Sequence, residues 1–128
     1  YISGLMRELG GEFTVFNGRN GVELIDNLRA GCAGTIPSVE CCDLQVRIYD
    51  NWRSGDQQAA TAQFRHALPL LSYLMLTIDH LLCYGKRLAA QRLGLAEVHD
   101  RQPAMAARPV DLDTLEFWSR HLEPLPEL

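Results

Sequence analysis

The stretch of residues 13–38 is the feature that most limits what this chain folds into. It reads FTVFNGRNGVELIDNLRAGCAGTIPS: an apolar run, a loop of Asn and Gly, a short amphipathic segment and a second apolar run. This is the order of a parallel βαβ unit, and two parallel strands cannot bury both of their faces alone. The pattern therefore predicts that the sequence starts in the middle of a larger α/β fold.

The two strands are predicted at residues 13–16 and 32–36, because both runs are short and apolar or β-branched and so typical of strands covered on both faces. The segment between them, residues 22–30, has the spacing of an amphipathic helix, with Val22, Ile25 and Leu28 on one side. Residues 1–9 read as the end of a preceding helix.

Beyond residue 38 the sequence predicts helices alone. Ser38 and Asp56 are placed to cap two of them, with Glu40 in a favourable first turn, and Asp113 with Glu116 resembles a capping box. Pro69 lacks an amide donor and should kink its helix near residue 65. A helix from Thr77 to Leu93 is expected to bury Ile78, Leu81, Leu82, Leu88 and Ala89, and the last helix should run to Pro124.

This order of elements predicts an α/β fold: the last two strands of a (β/α)8 TIM barrel followed by a three-helix extension. We expect the barrel units in residues 1–55 and the helical extension in residues 56–128. Short strand-to-helix loops are typical of such units. Because functional groups of barrels lie on the loops after the strands, the loops at residues 17–20 and 37–38 are the candidate site.

Composition and charge argue against nucleic-acid binding, membrane insertion and metal binding. A net charge of −4 and a pI near 5.5 argue against nucleic-acid binding, and the longest apolar stretch, residues 67–78, contains Pro69 and is too short to span a bilayer. The four cysteines show no CxxC spacing, which indicates reduced, mostly buried thiols in a cytoplasmic protein. We expect no metal site.

A longer series of segments is similar to one enzyme family. The segments NGRNGVELIDNLRAGCAGTIPS, DLQVRIYDNWRSGD and AQFRHALPLL follow one another as in the carboxyl-terminal part of the dihydrodipicolinate synthase / N-acetylneuraminate lyase family. The matching positions are Asn17-Gly18, Leu28-Arg29-Ala30-Gly31, Gly34-Thr35-Ile36, Gly55-Asp56 and Leu68-Pro69-Leu70. The later YGKRLAAQRLGL resembles the helix before the family's final linker, so the resemblance covers nearly the whole chain.

The resemblance implies a homo-oligomeric (β/α)8 barrel, often a tetramer, that acts on pyruvate or another 2-oxo acid without a metal or organic cofactor. Family members are class I aldolases, lyases or dehydratases. Their Schiff-base lysine and proton-shuttling tyrosine lie on the sixth and fifth strands, upstream of the segments matched here. The resemblance therefore implies that these 128 residues supply pocket walls, lack the nucleophile and are inactive alone.

Four positions are the predicted substrate-binding residues. By the resemblance, Gly18 matches the glycine whose backbone lines the pocket, and Ile36 matches the apolar residue beside the Schiff-base lysine. Many synthases follow that glycine with two acidic residues, whereas this chain has Arg19-Asn20. A guanidinium suits an acidic or polyhydroxylated substrate group, so Arg19 and Asn17 are predicted to select the substrate rather than react with it.

Other reactive side chains are interpreted as structural. Lys86, the single lysine, lies in a predicted helix away from any strand end and is not the expected nucleophile. The histidines are scattered over different elements and predict no zinc site: His66, His80, His99 and His121.

Two other functions stay open on the residues alone. A helical interaction or oligomerisation module would need no catalysis, and a soluble, cooperatively unfolding 128-residue monomer would favour it. Phosphate binding by the two strand-end loops is the other, because barrels often hold phosphate after their seventh and eighth strands. Cleavage, condensation and dehydration also stay open, since they depend on upstream residues.

Overall fold

The structure, a computed structural model, describes residues 1–10 and 12–125. The first part of the chain is a βαβ unit behind a short helix, as the sequence predicted. Its elements are α1 (Ile2–Leu9), β1 (Phe16–Asn17), a turn at Arg19–Gly21, α2 (Leu24–Arg29) and β2 (Gly34–Thr35). The two strands pair in parallel, with Phe16 opposite Gly34 and Asn17 opposite Thr35.

The strands are shorter than predicted, and the described residues alone do not cover both of their faces. The first begins at Phe16 rather than residue 13, and the side chains of Phe13 and Phe16 are 59% and 56% exposed. The sheet of the described residues has only two strands, so an apolar face has no neighbouring strand to cover it. One hydrogen bond on each side extends the pairing, from Ala33 N–H to Val15 O (2.9 Å) and from Ile36 N–H to Asn17 O (2.8 Å).

The other main elements of the described chain are helices: α3 (Cys42–Arg53), α4 (Gln57–Leu74), α5 (Ile78–His80), α6 (Lys86–Arg92) and α7 (Pro109–Ser119). Residues 93–108, between α6 and α7, form a long loop. A π-helical turn, Leu81–Gly85, joins α5 to α6, so residues 78–92 form one helical run close to the predicted bounds. Asp56 caps α4 as predicted, accepting a hydrogen bond from Ala59 N–H at 2.9 Å. Pro69 lies inside α4, which continues to Leu74.

Two of the predicted helix caps are wrong. Ser38 precedes a short 3-10 turn, Val39–Cys41, and its hydroxyl donates to Glu40 instead of accepting from a free amide. The capping box at Asp113 does not form, because α7 already begins at Pro109, whose fixed φ suits a first helical position. That helix ends at Ser119 rather than at Pro124.

The buried face of residues 78–92 differs from the prediction in its first half. Ile78 and Leu82 are 62% and 59% exposed, and Tyr84, inside the π-helical turn, is buried instead. Leu88 and Ala89, which follow the turn, are buried as predicted. The π-helical turn departs from the 3.6-residue period on which the prediction for Leu82 was based.

A single cluster of buried side chains holds the chain together. It comprises Leu24, Ile25, Leu28, Cys41, Ile48, Ala60, Phe64, Ala67, Leu70, Leu71, Leu74, Cys83, Tyr84, Leu88 and Leu115. The cluster extends across residue 55, and the domain boundary there stays a prediction. Among the described residues no single helix is long and apolar enough to cross a membrane; α4 and residues 78–92 pass that test only together, bent by 101°.

Candidate functional site

Three of the four predicted site residues lie at one edge of the sheet, where both strands end. Asn17 ends β1 and is half-buried, and its carbonyl accepts from Ile36 N–H and from Thr35 Oγ1 (2.9 Å). A side chain added at Gly18 would meet no atom within 4 Å, so the space beside this backbone is open. Ile36 directly follows β2 and its side chain is 64% exposed.

Arg19, the fourth predicted residue, extends away from this edge. Its side chain is 64% exposed, and its guanidinium forms an ion pair with the carboxylate of Glu23 one helical turn later. Arg19 and Asn17 border one cleft of about 430 Å³ with the start of α1, whereas Gly18 and Ile36 do not line it. Asn17 thus belongs both to the strand-end edge and to the cleft, whereas Arg19 belongs to the cleft alone. An acidic ligand at Arg19 would have to replace Glu23.

The cleft beside Arg19 contains polar groups that the sequence did not single out. Asn27 is 4% exposed, and its amide Nδ2 has no hydrogen-bond partner. Glu23 Oε2 is also buried and unpartnered. Both residues line the cleft, together with Asp26 and Ser3. Both atoms are inaccessible to solvent, so of these polar groups it is the Arg19 guanidinium that is exposed to a ligand.

A buried polar network lies behind the strand ends, and we call its four members, Asn20, Ser38, Glu40 and Gln45, the Asn20 clamp. Asn20 Oδ1 accepts from Ser38 N–H (2.9 Å) and from Gln45 Nε2 (3.2 Å), while Asn20 Nδ2 donates to Glu40 Oε1 (2.9 Å). Gln45 Nε2 also donates to the carbonyl of Asn20 (3.0 Å). The clamp therefore joins the loop after β1 to the loop after β2 and to α3.

Two close approaches show how tightly the clamp is packed. Gly21 faces Gln45 so closely that an added Cβ would lie 2.1 Å from Gln45 Oε1. On the other side, an added Cβ at Gly85 would lie 3.4 Å from Glu40 Cδ, so the π-helical turn contacts the clamp. Glycine at both positions leaves room for these buried side chains.

An ion pair anchors the start of α3 next to the clamp. Arg92 Nη1 donates to the backbone carbonyl of Glu40 (2.6 Å) and to Asp43 Oδ1 (2.7 Å), and its Nη2 donates to Asp43 Oδ2 (3.0 Å). The hydrogen bond from Arg92 lowers the pKa of the Asp43 carboxyl from its ordinary value, against a smaller opposing effect of burial. Arg92 is 5% exposed, so this pair links α6 to α3 inside the molecule.

The clamp was not predicted, and only part of it had a local signal. The two Asn and two Gly residues of the loop at residues 17–21 permit positive φ, which the structure has at Asn20 (49°) and Gly21 (72°) but not at Gly18 (−90°). At residue 40 the sequence pattern indicates only a favourable charge in a first turn. The contact of Glu40 with Asn20 joins residues 20 positions apart, which a local pattern does not reveal.

Lys86 lies away from the strand ends, and three of the four cysteines are buried, whereas Cys42 borders a cavity beside Thr35 and Pro37. Lys86 Nζ donates to Asp100 Oδ1 (2.7 Å) and to His99 O (2.9 Å) at the surface. Burial raises the pKa of the Cys32, Cys41 and Cys83 thiols, which keeps them protonated at neutral pH. Within residues 1–10 and 12–125 no three His, Cys, Asp or Glu side chains gather as metal ligands would.

Two amides of the second loop are already used in hydrogen bonds within the chain. The N–H of Ile36 donates to Asn17 O, and the N–H of Ser38 donates to Asn20 Oδ1. A phosphate site of the kind seen in other barrels depends on free backbone amides. These two amides are therefore not available to an anion, and phosphate binding by the loop at residues 17–20 stays a prediction.

Comparison with known proteins gives a likeness of fold and none of sequence. No protein-family model matches the chain, and neither does any curated protein. Among solved structures, the chain is similar to the crystal structure of dihydrodipicolinate synthase from Rhodopseudomonas palustris, with a TM-score of 0.82 and 19% identity. The match covers 94% of this chain and 41% of that enzyme. The chain thus has the fold of the carboxyl-terminal part of a dihydrodipicolinate synthase TIM barrel, with two parallel strands and a majority of helix.

Proposed function

We propose that this chain is the carboxyl-terminal portion of a Schiff-base-forming lyase, dehydratase or synthase that acts on pyruvate or another 2-oxo acid. The observation that carries the proposal is the shared edge at which Asn17, Gly18 and Ile36 lie open, in a fold that matches dihydrodipicolinate synthase over 94% of the chain. Carboxyl ends of barrel strands are where such enzymes place their substrate.

The chain contributes walls and selectivity in this proposal. Gly18 leaves space for the substrate beside its backbone, and Ile36 supplies an apolar surface. Arg19 and Asn17, on the neighbouring cleft, contact the part of the substrate farthest from the reacting carbonyl. The intact protein is a cytoplasmic homo-oligomer in the same proposal.

The chemistry needs an amine that this chain does not place at the edge. A neutral amine adds to the ketone of the 2-oxo acid, water leaves, and the resulting iminium withdraws electrons from the adjacent bond. Lys86 is held by Asp100 and by the carbonyl of His99, outside the strand-end region. The nucleophile is therefore a lysine outside residues 1–128.

Reductive trapping tests the proposal. The protein of the full reading frame that contains these residues is incubated with pyruvate and borohydride and weighed intact by mass spectrometry. We expect a gain in mass of one reduced pyruvyl group on a lysine other than Lys86, and none with borohydride alone. Lys86→Arg should trap equally well. Absence of an adduct with pyruvate and with larger 2-oxo acids would contradict the proposal.

Arg19→Ala tests the selecting role in that protein. Because Arg19 is exposed and its pair with Glu23 adds little stability, the variant should fold normally. We expect KM for the true substrate to rise more than kcat falls, since a ground-state contact is lost. Arg29→Ala, at the exposed far end of α2, is the matched control and should leave both constants unchanged. Identical kinetics of Arg19→Ala and wild type would remove Arg19 from the site.

A second candidate function is a non-catalytic oligomerisation module, which an exposed apolar row favours. Leu76, Ile78 and Leu82 are 64%, 62% and 59% exposed at the start of the helical run of residues 78–92. Apolar patches of this kind often mark contacts between subunits. If this row of side chains forms the subunit contact of a non-catalytic module, Leu82→Glu should dissociate the oligomer, as measured by sedimentation velocity. The same protein should then form no borohydride-trapped adduct with any 2-oxo acid.

A further inference from the structure

The loop after β1 has an unusual backbone that local sequence preference alone does not explain. Arg19, Asn20 and Gly21 all have left-handed conformations, with φ of 57°, 49° and 72°. Such conformations disfavour residues with a Cβ and persist where surrounding contacts enforce them. Arg19 is exposed and contributes only a surface ion pair, so the enforcing contacts come from Asn20 and Gly21.

The Asn20 clamp supplies these contacts from three separate elements. Ser38 N–H, Gln45 Nε2 and the Glu40 carboxylate use both polar atoms of the Asn20 side chain, and Gln45 also binds its carbonyl. Asn20, Glu40 and Gln45 are 4%, 2% and 2% exposed. Their side chains therefore cannot touch a substrate, and they act through the backbone that they hold.

The backbone held by the clamp is the one that carries the candidate pocket wall. Asn17 and Gly18 directly precede the left-handed turn, and Ile36 directly precedes the Pro37-Ser38 step that binds Asn20. Ile36 N–H and Ser38 N–H both donate to the first loop, at Asn17 O and Asn20 Oδ1. Movement of Asn20 would thus shift Gly18 relative to Ile36.

We propose that Asn20 and Glu40 are positioning residues that set the spacing between the Gly18 and Ile36 walls of the substrate pocket. This inference rests on the proposed function for the meaning of the pocket, and on the clamp geometry for the positioning. It assigns a role to a buried carboxylate and a buried amide that neither the sequence pattern nor the likeness of fold singles out.

The hydrogen-bond chemistry of the clamp makes the role specific. The side chain at residue 20 accepts hydrogen bonds from Ser38 N–H and Gln45 Nε2 and donates one to Glu40. An amide can do both, whereas a carboxylate cannot donate. Glu40 Oε1 accepts from Asn20 and from the Ser38 hydroxyl. A glutamine at residue 40 keeps such an acceptor, whereas an alanine removes it and leaves the Asn20 amide with an unpaired donor.

Four variants of the full-reading-frame protein test the inference. Glu40→Ala removes the acceptor and Glu40→Gln restores one. Asn20→Gly keeps a residue that tolerates positive φ but deletes the side-chain bonds. Leu115→Val, a buried core change in α7 away from the clamp, is the control for general loss of stability. For each variant we measure the pyruvate concentration that gives half-maximal trapping and the backbone hydrogen exchange of residues 17–21.

The expected result separates positioning from stability. Glu40→Ala and Asn20→Gly should each raise the half-saturating pyruvate concentration by on the order of tenfold, because small displacements of pocket walls weaken productive binding strongly. Glu40→Gln should stay within about threefold of wild type, and Leu115→Val should not change it. Exchange at residues 17–21 should quicken in Glu40→Ala and Asn20→Gly while exchange in α4 stays as in wild type.

Two results would overturn the inference. One is half-saturation that is unchanged in Glu40→Ala and Asn20→Gly. The other is faster exchange spread evenly over the molecule, which indicates general destabilisation. If wild type traps no 2-oxo acid, the proposed function has failed instead; the exchange measurement still decides whether the clamp holds the loop, and unchanged exchange at residues 17–21 would refute it.

Discussion

The strand-end region and the helical region of this chain are stabilised in different ways. In residues 57–92 the fully buried side chains are large and apolar, with Leu71, Leu74 and Tyr84 at 0% exposure. At the strand ends the buried side chains are polar, and Phe16 and Ile36 are more than half exposed. Apolar packing supplies most of the stability of a fold, whereas buried hydrogen bonds such as those of the clamp, where of the buried polar atoms Gln45 Oε1 alone lacks a partner, favour one geometry. The difference places the stability in the helices and the defined geometry at the candidate site.

The largest expected effect tests the apolar side of this comparison. Leu71→Ala removes a 0% exposed side chain from the core of α4 and should lower the free energy of unfolding by about 2–5 kcal/mol. Leu76→Ala, at 64% exposure, should change it by less than about 0.5 kcal/mol. Chemical denaturation of both variants measures the gap, and equal losses would mean that the core is not where the structure puts it.

Two glycine-to-alanine substitutions test how tightly the Asn20 clamp is packed. Gly21→Ala and Gly94→Ala both force alanine into positive φ, at 72° and 67°. Only Gly21→Ala also places a Cβ against Gln45, since nothing lies within 4 Å of a Cβ at Gly94. We expect Gly21→Ala to cost about 1–3 kcal/mol more, the range for disrupting buried hydrogen bonds. Thermal unfolding compares the two, and a Gly94→Ala loss as large as that of Gly21→Ala would argue that the clamp is loose.

Acid should weaken the two regions through different carboxylates. Arg92 lowers the pKa of Asp43 beside the clamp, and hydrogen bonds from Arg87 and Lys86 lower that of Asp100 to about 2. Because the native pKa of each is depressed, each stabilises the fold fully above the unfolded value of about 3.9 and ceases to do so as pH falls through the native value.

The substitution Asp43→Asn separates the two carboxylates. The gap in unfolding free energy between wild type and Asp43→Asn should be widest near neutral pH and should narrow as pH falls from about 4 towards the native pKa. High salt should weaken the pairing of Asp100 more than that of Asp43, because the side chain of the Asp100 partner Lys86 is 41% exposed whereas that of Arg92 is 3% exposed, and screening acts most on exposed charges. A gap that widens on acidification would contradict the assigned ion pair.

The smallest expected effect concerns Arg19. Its ion pair with Glu23 is exposed, so Arg19→Ala should change the unfolding free energy by less than about 0.5 kcal/mol. Denaturation curves for this variant and for Arg29→Ala should coincide with that of wild type. A large loss at Arg19 would show that the strand-end region contributes more stability than the comparison allows.

Local patterns predicted the parts of this fold that local interactions determine. The parallel βαβ order and the Asp56 cap of α4 are confirmed, because each depends on residues close in sequence. The burial of Leu82 was predicted wrongly, since Leu82 lies in a π-helical turn, which has no simple sequence signature. The burial of Ile78, at the exposed start of α5, was also predicted wrongly. The exposure of Phe16 depends on which strands and helices lie next to the two-stranded sheet, and an apolar run in the sequence carries no information about them.

The candidate site divides in the same way. The rule that parallel strands end at one edge placed the two strand-end loops together, and the family resemblance added Gly18 and Ile36 to the predicted site. The structure brings Asn17, Gly18 and Ile36 to that edge. The part that was missed is the clamp, whose members come from two loops and a helix and meet only in the folded chain. Their roles in binding stay predictions.

The central claim is that the open edge at Gly18 and Ile36 faces the reacting carbon of a 2-oxo acid held on a lysine from elsewhere in the protein. The most direct test is a crystal structure of the full-reading-frame protein after pyruvate has been trapped with borohydride. We predict that the trapped carbon chain lies in van der Waals contact, within about 4 Å, of Ile36 and of the Gly18 backbone. An adduct on Lys86, or one that contacts neither strand end, would contradict this account.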